Sequence, residues 1–261
     1  NGLTIADFSG SNLVLYSLVS VITTVSVNNA SITNLSGLEY FASLTSLSCN
    51  NNQIPDFYSQ FDIPNILTVL PNLTTLDASS NLLTNIDVSA NVLLTQLAVS
   101  FNSLTSLDTS QNTVLSILTC DNNQITSLDL SNNTALTQLY CNVNQLASLD
   151  VSSNTGLFAL DASDNNLTSL DVSNNTSLAG LYCSNNQITS LDVSQNTSLT
   201  GFKCENNQLT SLDLRNGNNS NMSTLLDWTI NASLANINVD SVSYANTNWL
   251  GYKDASATYV I

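Results

Sequence analysis

The 261-residue chain carries 19 acidic residues against three basic ones, and its formal net charge is −16. This charge argues against nucleic acid and anionic membrane surfaces as partners, because both would be repelled by the protein's field. Hydrophobic residues make up 43% of the chain, which is enough for a continuous core. We find no apolar run of about 18 residues and no basic segment followed by an apolar stretch, so we expect neither membrane insertion nor a signal peptide.

The N-terminal segment 1–21, NGLTIADFSGSNLVLYSLVSV, is mostly apolar and does not follow the pattern of the rest of the chain. Repeat arrays need atypical terminal segments that shield the hydrophobic end of the stack. We therefore predict an N-terminal cap over residues 1–21.

A repeating unit follows the cap. Two longer units, 22–43 and 44–72, come first, and from Leu73 onward every unit has the same length. Apolar residues occupy positions 1, 4, 6, 11, 14 and 16 of the unit, and asparagine occupies positions 9 and 19. This periodicity predicts a solenoid of eight to nine units over residues 22–219. The seven units in constant register begin at Leu73, Leu94, Leu115, Leu136, Leu157, Leu178 and Leu199.

The pattern breaks after Arg215, returns in part at LANINVD (residues 234–240), and ends in a segment that contains both tryptophans. Aromatic side chains can cover the last turn of a hydrophobic stack. We predict a C-terminal cap over residues 220–261 that includes one degenerate repeat.

Each unit contains two short stretches in which apolar and polar residues alternate, and neither stretch is long enough for a helix. In the unit that begins at Leu136, Leu139 and Cys141 should point inward while Gln138 and Tyr140 point outward. We predict parallel strands on one face and extended segments on the opposite face.

The motif LxxLxCxxNQLTSLDVSxNTx resembles the leucine-rich repeats of the bacterial 21-residue class with a nested half-repeat. The first unit, with ITNLSGLE at residues 32–39, is similar to internalin-type repeats. The resemblance implies a right-handed, curved, mainly β solenoid with little helix and a parallel sheet on its concave face. It also implies a secreted or cell-surface bacterial protein that binds its partner on that sheet.

Equivalent positions of stacked units form files of side chains about 4.8 Å apart. All five cysteines lie at position 6, where other units have valine or alanine, so we predict buried free thiols. The asparagines at position 9 should bond to the turn backbone of their own and neighbouring units.

Position 15 forms a file of aspartates. Neighbouring carboxylates would repel by about 3.5 kcal/mol at an effective dielectric constant of about 20, so the file cannot be buried without partners. It is either a solvated, hydrogen-bonded row or a calcium row, and no other cofactor is indicated. The calcium hypothesis names the central members: Asp129, Asp150, Asp171 and Asp192.

Positions 3, 5 and 7, which face outward from the first strand of each unit, vary most. Tyr140 and Tyr182 should flank Asp161 on this surface. Tyrosines interspersed with charges suit a protein contact or a neutral sugar. The predicted ligand-binding residues are Tyr140, Asp161, Tyr182, Lys203, Asp121 and Glu205.

The chain has no histidine, and none of its many serines belongs to a recognisable catalytic constellation, so we expect no enzymatic activity. The leading hypothesis is a recognition or adhesion module that binds an extracellular protein or glycan, as a monomer or as part of a larger multidomain chain. Two alternatives stay open: a structural spacer or self-assembling surface element, and an ice-binding surface.

Overall fold

The computed structural model describes residues 19–57 and 65–261. Within them, ten parallel strands form one sheet, with one strand contributed by each of ten successive turns of the solenoid. The predicted mainly β leucine-rich-repeat solenoid with little helix is confirmed. The predicted N-terminal cap lies outside the described residues except for 19–21, and the division into caps and repeats stays a prediction.

The ten-stranded sheet is formed by strands of three or four residues. In spatial order they are β1 (Thr24–Ser26), β2 (Ser46–Ser48), β3 (Thr75–Asp77), β4 (Gln96–Ala98), β5 (Ile117–Thr119), β6 (Gln138–Tyr140), β7 (Ala159–Asp161), β8 (Gly180–Tyr182), β10 (Gly201–Lys203) and β12 (Thr224–Asp227).

The opposite side of the solenoid is extended, and it becomes a regular sheet only near the C-terminus. Four strands pair there: β9 (Ser190–Asp192), β11 (Ser211–Asp213), β13 (Asn236–Asn238) and β14 (Thr258–Val260). One α-helix, α1 (Val242–Asn248), and four 3-10 helices (Leu38–Tyr40, Ile66–Val69, Asn219–Asn221 and Leu250–Tyr252) complete the described elements.

The core is a stack of leucines that alternate with outward-facing residues. Leu139 and Leu160, for example, are fully buried and paired in register across β6 and β7. Burial of each leucine stabilises the fold by about 2 kcal/mol relative to exposure. The constant repeat length keeps each leucine opposite its counterpart, so the outward-facing residues are also aligned from turn to turn.

The asparagine file at position 9 holds the turns together, as the sequence predicts. Asn144 Nδ2 donates to the carbonyl oxygens of Cys120 and Cys141 at 3.0 and 3.1 Å, and its Oδ1 accepts from the Ile125 amide at 2.9 Å. The residue before each asparagine has a left-handed backbone; the φ of Val143 is 54°. One side chain thus bonds to neighbouring turns at a place where the backbone would otherwise lack partners.

Aromatic side chains close the C-terminal end. Trp228 follows β12 and is fully buried at the place that the cysteines occupy in earlier turns. Its ring lies 6.1 Å from Phe202 and 5.3 Å from Trp249, centroid to centroid. Tyr259 Oη donates to the Trp249 carbonyl oxygen at 2.8 Å, so this cluster also has a polar anchor.

Candidate functional site

The surface of interest is the outer side of the ten-stranded sheet, formed by positions 3, 5 and 7 of each turn, here called the sheet face. Parallel pairing places Tyr140 opposite Asp161, Asp161 opposite Tyr182, and Tyr182 opposite Lys203. These four predicted residues therefore form one row across β6, β7, β8 and β10. Their in-register alignment follows from the constant repeat length.

A depression of about 330 Å³ lies at the C-terminal part of this row, and we call it the hollow. Four of the six predicted residues line it together with other side chains of the sheet face and its turns, whereas Tyr140 and Asp121 do not. The charged, aromatic and apolar side chains of the lining are those of Asp161, Asp164, Tyr182, Lys203, Glu205 and Leu225.

Asp161 is partly buried where it lines the hollow. Its burial raises the pKa of the carboxyl group, and the charges of Asp164 and Asp121 add to this effect. The Ser163 amide donates to Asp161 Oδ1 at 3.0 Å, which lowers the pKa and fixes the carboxylate, but burial outweighs it. Asp161 is therefore an oriented carboxylate whose negative charge the fold does not fully compensate.

Tyr182 folds back over its own strand. Ring atoms of Tyr182 lie 3.5 Å from the point where a side chain at Gly180 would begin, so the glycine leaves room for the ring over β8. Burial and the neighbouring Asp161 raise the pKa of the phenol, which keeps it neutral at physiological pH. The ring provides an apolar platform beside a carboxylate.

Tyr140 and Asp121 hold their places through local hydrogen bonds. Tyr140 Oη donates to Gln138 Oε1 at 3.3 Å on its own strand. Asp121 accepts from the Ser100 hydroxyl in the preceding turn and from Asn122 Nδ2, the latter at 2.8 Å. Both belong to the sheet face, and Tyr140 extends the row beyond the hollow.

Leu225 lines the hollow although the repeat pattern does not single it out. β12 pairs with β10 through Gly201 with Thr224 and Lys203 with Asp227, so β12 holds one extra residue and its register shifts. Leu225 lies in this bulge with φ of 49° and is 62% exposed beside the hollow. Bulges occur often next to binding sites, where they redirect a side chain. The signal in the sequence is the spacing from Cys204 to Trp228, which is longer than that from Cys183 to Cys204.

No family model matches the sequence, and no curated protein matches it. Among solved structures, the chain is similar to the functional domain of InlJ from Listeria monocytogenes, with 35% identity and a TM-score of 0.74. That match covers 87% of this chain and 51% of the InlJ chain, so the present chain spans about half the length of that relative.

This chain is a leucine-rich-repeat protein that resembles the Listeria internalins.

Two other similarities, each at 23% identity, concern the fold alone. An internalin, InlF of Listeria monocytogenes, has a TM-score of 0.60, with 85% of this chain and 74% of that chain covered. The ectodomain of the plant receptor kinase GASSHO1/SCHENGEN3 from Arabidopsis thaliana, solved with CASPARIAN STRIP INTEGRITY FACTOR 2, has a TM-score of 0.70. Its match covers 85% of this chain and 28% of the receptor.

The position-6 thiols of this internalin-like protein are all free and fully buried, which confirms the prediction. Burial raises the pKa of Cys49 and Cys120 to about 12 and raises that of Cys183 as well. Such thiols do not ionise near neutral pH and act as small hydrophobic side chains. The functional domain of InlJ likewise includes a cysteine ladder.

The aspartate file at position 15 lies on the opposite side of the internalin-like solenoid. Asp87, Asp108, Asp129, Asp150, Asp171 and Asp192 are exposed, whereas Asp213 is partly buried and pairs with Arg215. In each member a backbone amide two residues further along donates to the carboxylate, as Ser152 does to Asp150 at 2.9 Å. The described residues include no group of three or more histidine, cysteine, aspartate or glutamate side chains that could hold a metal ion. Calcium binding by Asp129, Asp150, Asp171 and Asp192 stays a hypothesis.

No helix among residues 19–57 and 65–261 combines the length and the apolar character that crossing a bilayer requires.

Proposed function

We propose that this leucine-rich-repeat chain is a non-catalytic recognition or adhesion module of a secreted or cell-surface bacterial protein. It binds an extracellular protein or glycan on the sheet face. One observation carries the proposal: parallel register brings Tyr140, Asp161, Tyr182 and Lys203 into a single row that ends in a hollow.

The chemistry of this row supports binding. Tyrosine rings supply contact area at a low entropic cost, and polar groups around them give orientation. The neighbouring sheet positions are small, since Ala159, Gly180 and Gly201 precede the row on their strands. A guest can therefore approach the sheet closely at Ala159 on β7, whereas the Tyr182 ring already covers β8 at Gly180 and Gly201 is itself buried.

The similarity to InlJ supports the bacterial surface location. The similarity to that Listeria monocytogenes protein extends over 87% of this chain. The acidic surface agrees with a protein or neutral glycan as partner and opposes nucleic acid.

The test is a screen of the chain against arrays of extracellular proteins and glycans, followed by affinity measurement on the hits. The double variant Tyr140→Ala, Tyr182→Ala should lose the partner by tenfold or more. Phe158→Ala is the matched control, because Phe158 is an exposed aromatic residue just before β7 that does not line the hollow.

If circular dichroism shows that both variants are folded and the double variant keeps its affinity, the binding site lies outside this row. Absence of any hit together with concentration-dependent self-association would favour a structural spacer instead.

A further inference from the structure

We propose that the hollow receives an arginine side chain of a partner protein. This inference rests on the proposed function and names the chemistry of the partner. Three properties of the hollow carry it: its uncompensated charge, the orientation of its carboxylates, and the apolar surface beside them.

The charge of the hollow is unbalanced. Asp161, Asp164 and Glu205 line it together with one cation, Lys203. No described cation lies within 4.0 Å of any of the three carboxylates. The whole chain has a net charge of −16, so the field around the hollow attracts cations and raises their rate of encounter. A neutral glycan would leave these carboxylates without a counter-charge.

Two of the carboxylates are oriented before any ligand arrives. Ser163 donates its amide to Asp161 Oδ1 at 3.0 Å, and Ser184 donates its hydroxyl to Glu205 Oε2 at 2.5 Å. Each carboxylate has about four acceptor sites, so both retain capacity for further donors. A guanidinium group has about five N–H donors in a fixed plane and can bond to carboxylates on two sides at once.

The apolar part of the hollow distinguishes arginine from lysine. The ring of Tyr182 packs over Gly180 and lines the hollow next to the partly buried Asp161. Leu225, 62% exposed on its bulge, lines the same space. A guanidinium group stacks on an aromatic face and its aliphatic stem packs on apolar carbon, whereas an ammonium group is compact and strongly hydrated.

The probe is a fluorescein-labelled peptide with two arginines, compared with peptides in which both are replaced by citrulline or by lysine. Citrulline has nearly the shape of arginine without its charge. We expect binding by fluorescence anisotropy at low salt, at least tenfold weaker binding of the citrulline peptide, and intermediate binding of the lysine peptide.

The variants locate the binding. Asp161→Asn and Glu205→Gln should each weaken binding of the arginine peptide by about tenfold, because each removes a charge-assisted hydrogen bond. Asp150→Asn is the matched control, since it makes the same change of charge on the opposite side of the solenoid. It should leave the affinity unchanged.

Equal affinity for the arginine and citrulline peptides would overturn the proposal. So would an equal loss in Asp150→Asn and Asp161→Asn, since that would indicate only the general acidic field. A glycan partner that depends on Tyr140 and Tyr182 would overturn this inference but leave the proposed function intact. If the arginine peptide bound in the hollow but the natural partner did not depend on Tyr140 and Tyr182, this inference would stand and the proposed function would be wrong.

Discussion

Thr109 Oγ1 donates a 2.8 Å hydrogen bond to Asn133 Oδ1, and both side chains are buried. In the other turns of constant length a valine or leucine takes the place of the threonine. The matching asparagine oxygens of Asn112, Asn154, Asn175 and Asn196 accept no hydrogen bond among the described residues, and neither does that of Asn91, whose amide bonds to Leu67 of the longer preceding unit.

Thr109→Val should therefore lower the free energy of unfolding by about 1–3 kcal/mol, because it leaves a buried acceptor without a donor. The measurement is the midpoint of guanidinium unfolding. Val151→Thr is the complementary variant, since its hydroxyl would lie where it can donate to Asn175, and it should keep or raise the midpoint. A Thr109→Val midpoint equal to that of the native chain would contradict the importance of this bond.

The position-9 asparagines should contribute more to the free energy of unfolding than Thr109 does. Asn144→Ala removes donated and accepted bonds that join neighbouring turns, and should cost about 2–3 kcal/mol. Asn166→Ala, at an exposed position of the following turn, is the control and should change stability by less than about 0.5 kcal/mol. Equal effects in the two variants would show that the asparagine file does not bind the turns together.

The five buried thiols should be unreactive in the folded protein. Burial raises the pKa of Cys120 to about 12, so the nucleophilic thiolate is scarce at pH 8 and the sulfur is also inaccessible. Ellman's reagent should titrate none of them in buffer and all five in denaturant. Rapid reaction of even two thiols under native conditions would place them at the surface.

Acidification should destabilise the fold through the aspartate file. The backbone bond from Ser110 lowers the pKa of Asp108 below its ordinary value of 3.8, and serines act in the same way on Asp129 and Asp171. A carboxylate whose pKa is lowered in the folded state stabilises the fold above pH 3.8. This stabilisation is lost as the pH falls through the lowered pKa.

Unfolding measured between pH 6 and pH 2 should show this loss below about pH 4. Asp161 acts with the opposite sign, because burial raises its pKa and its protonation favours the folded state. Asp161→Asn should thus be neutral or stabilising at pH 7. A stability that rises steadily down to pH 2 would contradict the assignment of the file.

Calcium should have no effect on stability if the aspartate file is only solvated and hydrogen-bonded. Each turn contributes one carboxylate to the file, and calcium sites gather about six to eight oxygen ligands. The melting temperature should be the same in millimolar calcium and in chelator. A rise of several degrees with calcium, lost in Asp150→Asn, would support the calcium hypothesis instead.

The parts of the fold that repeat could be predicted from the sequence. Cysteine exchanged for valine and alanine at one position indicated a buried file, and all five thiols are indeed buried. The row from Tyr140 to Lys203 follows from the equal length of successive units.

The parts that depart from the repeat could not be predicted in this way. Leu225 reaches the hollow only because β12 takes one extra residue, and the consequence of an insertion depends on which strand absorbs it. The position of the Tyr182 ring depends on the glycine two residues earlier, which the pattern of apolar positions does not reveal.

Hydrogen–deuterium exchange of the chain, with and without the partner captured in the array screen, shows directly whether that partner binds in the hollow. We expect slower exchange in the segments that line the hollow, residues 161–164, 182–185 and 203–205, and no change around Asp129 and Asp150. Protection confined to the aspartate side, with the hollow segments unaffected, would contradict this expectation.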